Sequence, residues 1–121
     1  MGDTRSLGRK GEDLAVAYLE GLGYRVKERN FYTRWGEIDI VAEREGSLHL
    51  VEVRTVTRGG MLDPREALTR KKRDHLWRAV QIYLKKRKWR GDFSVDFIAI
   101  EWEEDNPRIH YFPQVLEDYW G

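Results

Sequence analysis

The chain has 121 residues, enough for one domain with a buried core and too few for two. It contains no cysteine, which excludes disulfide frameworks, thiol nucleophiles and cysteine-based zinc sites and fits the reducing cytoplasm; its apolar runs are too short to span a membrane, and its opening residues lack the apolar stretch of a secretory signal. The net charge of +1 conceals an asymmetry: residues 65–90 carry 11 Lys or Arg against Glu66 and Asp74, a local +9 that leaves −8 on the rest.

Residues 5–22, RSLGRKGEDLAVAYLEGL, have helical periodicity, with Ala15, Tyr18, Leu19 and Leu22 on one stripe and Gly21 and Gly23 near the stop. At about 100° per residue, Glu12 falls within about 20° of Leu19, so this acid leans toward the buried side of its helix. Residues 24–32, YRVKERNFY, read as a strand. In the next stretch, GEIDIVAEREGSLHLVEVR (36–54), Glu45 and Gly46 read as the centre of a tight hairpin turn. Opposed positions then sum to 91, so that Val41 faces Leu50, Asp39 faces Glu52 and Glu37 faces Arg54. Alternation puts Glu37, Asp39, Val41, Leu50, Glu52 and Arg54 on one face. Ile38, Ile40, Ala42, His49, Val51 and Val53 lie on the other, which is the expected core.

Residues 55–62 read as a loop containing Gly59 and Gly60. A single helix is then expected, with Asp63 as N-cap, Pro64 at the first helical position and Glu66 three residues after the cap; it runs to about Lys88, with Gly91 as its stop. Its apolar stripe is Leu68, Leu76, Val80, Tyr83 and Leu84. Lys72, four residues from both Leu68 and Leu76, interrupts that stripe and is expected to aim inward. Residues 93–100, FSVDFIAI, read as a buried strand, and residues 108–112, RIHYF, as a shorter one. The elements assemble into one α/β domain over residues 1–121: a helix, an antiparallel three-strand meander, a crossover helix and a strand parallel to the third.

Two carboxylates opposed on a sheet destabilise it, and burial makes the conflict worse. A proton, a neighbouring arginine or a divalent cation relieves it. Hard oxygen ligands suit Mg²⁺ or Mn²⁺, which take one or two carboxylates and leave the remaining positions to water and phosphate. Glu52-Val53-Arg54 adds a cation two residues on, hence on the same face. The competing reading is an ion network in which Asp39 and Glu52 pair with Arg54 and Lys72. The basic segment suits a polyanion such as nucleic acid, or is a solvated helix face. Trp35, Trp77 and Trp89 are candidates for stacking on exposed bases, with core packing expected for at least two of them. His49, His75 and His110 are too scattered to nominate as ligands.

GEID (36–39) followed by VEVR (51–54) resembles the D…ExK core of the PD-(D/E)XK nuclease superfamily. More narrowly, RKGEDLAVAYLEGLGYRVKERNF, GEIDIVA, VEVR, KKRDHLWRAVQIYL and FSVDFIAI, in that order over about residues 6–100, resemble the YraN-like family of small bacterial proteins. The resemblance implies a restriction-endonuclease-like fold, a central mixed sheet flanked by helices, and kinship with archaeal Holliday-junction resolvases. It implies a nuclease that hydrolyses DNA phosphodiesters with Mg²⁺ or Mn²⁺, acting on branched or distorted DNA. The alternative is a nuclease-fold protein that binds DNA or serves as a scaffold without cutting.

Carried onto this chain, the resemblance makes Asp39, Glu52 and the carbonyl of Val53 the metal ligands and puts Glu12 in the place of the first-helix acid. Arg54 stands where the family usually has lysine. An arginine stays protonated and is a poor general base, though it can stabilise charge on a transition state. Lys72 is the candidate replacement for the missing lysine. Arg58, Arg70, Lys71, Lys72 and Arg73 are expected to grip the DNA backbone. Tyr32 occupies a position where the family tends to have arginine, with Arg34 as the compensating residue. Asp96 matches a family aspartate and receives no chemical role. Resolvases act as dimers, so a homodimer is implied as well.

Overall fold

The computed structural model describes residues 4–57, 63–104 and 106–117. Their elements are α1 (Thr4–Gly21), β1 (Arg25–Thr33), β2 (Gly36–Arg44), β3 (Ser47–Thr57), α2 (Pro64–Ala67), α3 (Arg70–Lys86), β4 (Phe93–Glu103) and β5 (Asn106–Phe112). The strands form a five-stranded sheet in the order β1-β2-β3-β4-β5. β3 and β4 pair in parallel, and the other neighbours are antiparallel. This is the expected meander followed by a crossover and a parallel strand, with β5 added at the edge. No helix among the described residues is long and apolar enough to cross a membrane.

The hairpin is buried on both faces, not only on the face expected. Ala15 and Leu19 of α1 pack with Ile40, Ala42, Val51, Ile98 and Ile100. Leu76, Ala79, Val80 and Tyr83 of α3 pack with Val41, Leu48, Leu50 and Val95 on the other side. A parallel pair is reached through a crossover helix, and that helix covers the second face. The acids at 37, 39 and 52 disguised this face in the sequence. Val41 and Leu50, which share it, are fully buried.

The single basic helix expected from Asp63 onward is two helices. Asp63 caps α2 as predicted, accepting from Arg65 N at 2.9 Å. The helix then breaks at Leu68, which leaves helical geometry and buries its side chain beside Ala67, Phe97 and Ala99. Thr69 caps the restart by accepting from Lys72 N. Burying Leu68 against β4 and capping α3 with Thr69 favour the break over a continuous helix. Gly91 is not the stop either. Lys88, with φ 56°, takes the left-handed position after α3, Trp89 N donates to Leu84 O at 3.0 Å, and Lys88 N donates to Lys85 O. This is the double-bonded C-terminal closure that usually employs glycine.

Candidate functional site

The hairpin register matches the sequence reading from Arg44↔Ser47 to Ile40↔Val51, around a turn in which Glu45 and Gly46 have φ of 52° and 80°. There the ladder ends. β2 continues along β1 to Thr33↔Gly36, while β3 continues along β4 to Thr57↔Trp102, so β2 and β3 part like the arms of a fork. Asp39 and Glu52 are therefore not a cross-strand pair inside the ladder, as expected, but the first residues beyond its end. Val53 N–H, which a continued antiparallel ladder would give to the backbone of Ile38, is donated instead to Asp39 Oδ2 at 2.7 Å.

The fork opens a cleft of about 350 Å³. Its walls include Glu37, Asp39, Glu52, Val53 and Arg54 from the strands, Trp35 from the turn before β2, and Lys72 and His75 from α3. Asp39 also marks a break in strand alternation. Asn30, opposite it and with φ 54°, is skipped in the β1/β2 register, which resumes at Phe31↔Ile38. Asn30 Nδ2 donates toward α1, to Glu12 Oε2 at 3.1 Å, whereas the Phe31 ring meets Tyr83 of α3 at 4.9 Å. Ile38 accordingly joins the α3-side cluster with Val41 and not the face of Ile40 where alternation placed it.

Asp39 is 7% exposed and Glu52 is half-buried. Burial pushes the Asp39 carboxyl well above the usual carboxylate range, and the charge and contact of Glu52 push it further. Burial also raises Glu52, against lowering by its contact with Asp39 and by the charges of Arg54 and Lys72. Among the described residues no ion pair joins either carboxylate to Arg54 or Lys72. The expected alternative of a closed ion network is not formed. What remains is a carboxylate pair whose burial and mutual repulsion favour the uptake of a proton or of another cation. Two hard oxygen donors beside open cleft volume fit Mg²⁺ or Mn²⁺, whose remaining positions go to water and phosphate. Among the described residues no group of three or more His, Asp or Glu forms a fuller metal cage.

The model of the uncharacterised protein family UPF0102 matches residues 11–100, a span that contains the whole fork and ends before β5. The chain belongs to this family. It is the family whose motifs the sequence resembles. A UPF0102 protein of Herpetosiphon aurantiacus is 37% identical over 118 residues, covering 93% of this chain and 95% of that one. One from Persephonella marina is 46% identical over 94 residues (77% and 81% covered), and one from Geobacter metallireducens is 40% identical over 115 residues (94% of each).

In this UPF0102 chain Glu12 arrives from the opposite side of the sheet. α1 crosses β3 at Gly11, where an added Cβ would collide with Thr55 Oγ1, so glycine permits the close approach. Glu12 thereby shares a second cleft, of about 280 Å³, with Glu52, Val53 and Arg54. Its oxygens are engaged: Oε1 accepts from Arg29 Nε and Nη2 at 3.1 and 3.0 Å, and Oε2 accepts from Asn30. Glu12 thus adjoins the acid pair as an oriented carboxylate that shares Arg29 with Asp13, and it does not line the cleft of Asp39.

Lys72 is exposed and not tucked into the apolar stripe, yet it lines the cleft as its candidate role requires. Arg70 and Lys71 are exposed at the start of α3. Arg73 turns away and donates from Nε to Leu68 O at 3.0 Å, bracing the α2/α3 break. Arg58 lies outside the described residues. Two cleft residues were not nominated from the sequence, Glu37 and His75. Glu37 was legible as a third acid on the Asp39 face, and His75 as the residue three positions after Lys72 on one helix.

Asp96, which had no assigned chemistry, is fully buried and accepts from His49 Nδ1 at 2.8 Å, Ser94 Oγ at 2.5 Å, Tyr111 OH at 2.6 Å and Gln114 N at 3.1 Å. Burial opposes its charge, but these partners outweigh it and hold the carboxyl below the usual range. The network ties β3, β4 and β5 together.

Proposed function

We propose that this protein is a metal-dependent nuclease of restriction-endonuclease-like fold that hydrolyses DNA phosphodiesters, acting in the cytoplasm on branched or distorted DNA. The observation that carries this reading is the fork, which leaves buried Asp39 and half-buried Glu52 without an ion-pair partner among the described residues, at the wall of an open cleft. A divalent cation held by Asp39, Glu52 and the carbonyl of Val53 would supply Lewis-acid polarisation of the phosphate and a nucleophile at neutral pH.

The chain's own residues supply the rest. Asp39 is oriented by the Val53 N–H, so one carboxylate oxygen is fixed before any ligand arrives. Arg54 stabilises the negative charge that grows on the phosphate oxygens. Lys72 adds a second cation on the α3 wall and orients water or phosphate. Arg70 and Lys71 extend a positive surface along α3 for the DNA backbone, a contact that weakens as salt rises and reads little sequence.

Cleavage of labelled single-stranded, duplex, flap and four-way-junction DNA with Mg²⁺ or Mn²⁺ tests the reading. Metal-dependent cutting that is lost in Glu52→Ala is the expected result. A second reading has one observation in its favour, Arg54 at the position where the motif has lysine. Under it the protein binds DNA, or acts as a scaffold on it, without cutting. Salt-sensitive binding with no cutting of any substrate selects this second reading, and cutting restored by Arg54→Lys would identify its cause.

A further inference from the structure

Of the three tryptophans that the sequence left open, two are packed. Trp77 and Trp89 lie against the core cluster beneath α3, Trp77 stacked on Phe93 with ring centroids 6.2 Å apart and Trp89 donating from Nε1 to Asp92 O at 3.0 Å. Trp35 joins no core cluster among the described residues. It stands in the turn between β1 and β2, where its backbone N–H is held by Thr33 Oγ1 at 3.0 Å and that hydroxyl donates to Gly36 O at 2.7 Å. From this braced turn it lines the same cleft as Asp39 and Glu52.

Two guanidiniums and an imidazole gather on its indole. The Arg78 guanidinium lies 4.6 Å from a ring centroid, that of Arg34 lies 5.8 Å away, and the His75 ring is 5.5 Å away at 47°. Neither guanidinium is ion-paired among the described residues. Trp35 thus shares the cleft with the carboxylate pair, and two planar donors suited to phosphate pack against its ring. A nucleotide presents the complement: a π face for the indole, a phosphate for the arginines and an ester bond for the acids.

The geometry points to Trp35, with Arg34 and Arg78, as a stacking site for one unpaired nucleotide beside the scissile phosphate. The cleft therefore selects DNA in which a base has left the duplex stack. This rests on the nuclease reading and adds the substrate feature that the site recognises. A base within a duplex shows a protein its edge, while its faces are occupied by its neighbours. At about 350 Å³ the cleft lies near the small end of ligand pockets, roughly 300 to 1,000 Å³, a size suited to one nucleotide.

Binding in EDTA, where no cutting intervenes, tests this by fluorescence anisotropy with a fully paired duplex and a duplex bearing a single-stranded flap. Wild type, Trp35→Ala, Trp35→Phe and Arg70→Gln/Lys71→Gln are compared, each checked for folding by its thermal melt. Stacking on an aromatic ring predicts flap binding weakened about tenfold or more in Trp35→Ala, with duplex binding unchanged and Trp35→Phe close to wild type. The Arg70→Gln/Lys71→Gln variant is expected to weaken both DNAs alike. A folded Trp35→Ala protein that binds both DNAs as wild type does, or loses both equally, overturns the stacking site while leaving the nuclease reading intact. Wild type that binds neither DNA at low salt overturns both.

Discussion

Asp39 of β2 accepts the backbone N–H of Val53 in β3 at 2.7 Å, so a side chain takes the donor left over where the two strands part. This bond fixes the acid at the fork but does not neutralise it. Its neighbours are Glu52 and Glu37, and charge is the property through which the site can be tested without any substrate.

Burial first, and Glu52 second, raise the Asp39 carboxyl above its unfolded value. The protonated form therefore stabilises the fold, a contribution that is complete below about pH 4 and is lost as pH climbs toward the raised value. Melting temperature in EDTA is expected to fall between about pH 5 and pH 9, with Mn²⁺ restoring most at the alkaline end. Asp39→Asn keeps an acceptor for Val53 and offers an amide to Glu52, so it should flatten the slope. Calorimetry across this range decides the matter, and an unaltered slope in Asp39→Asn removes the proton-holding pair from the account.

Gly11 against Thr55 sets how closely α1 approaches the fork. Gly11→Ala should destabilise by about 1–3 kcal/mol through overpacking. Thr55→Ala removes the colliding oxygen, so the double variant should recover much of that loss. Urea titration of the four proteins gives the coupling, and strictly additive effects would dissociate Gly11 from this contact.

Asp96 is fully buried with four donors turned on it. Asp96→Asn is expected to lose about 3–5 kcal/mol, because it leaves donors facing an amide where a charge had been. If the role is only structural, the folded fraction should still bind DNA with wild-type affinity at low temperature. Weak binding by fully folded protein would assign Asp96 to the site after all.

Glu28 joins β1 to α3 through Arg87, at 2.6 and 3.0 Å, and through the hydroxyl of Tyr83. Arg87 holds its carboxyl down at about 2, against the opposing effect of burial. The stability this contributes is present above the ordinary value of 4.5 and disappears as pH falls through about 2. Glu28→Gln should therefore melt lower than wild type at neutral pH and converge with it in acid. Parallel curves over the whole acid range would contradict the linkage.

The relation between residues and site was unevenly legible. Asp39, Glu52, Arg54 and Lys72 could be placed near one another because a two-residue turn sets the hairpin register and a helix carries Lys72 on a known face. Trp35 could not be placed, since the position of a turn over a helix depends on how α3 lies across β1 and β2. Leu68 misled for a related reason: its spacing fits the stripe of one long helix, but a burial site against Phe97 and Ala99 drew it out of helical geometry.

Local chemistry alone determined the element order apart from the helix break at Leu68, the hairpin turn at Glu45 and Gly46, the pairing of every residue in the closed part of the ladder and the presence of acids among apolar neighbours. These follow from periodicity and turn stereochemistry, which act over a few residues. The tertiary structure decided where the ladder ends, because β2 keeps its bonds to β1 and β3 keeps its bonds to β4 when the two cannot also stay paired with each other. It also decided that both faces of the hairpin are buried and that Ile38 changes sides at Asn30. The acids were written in the sequence; the cleft that gives them a use is a product of packing between distant segments.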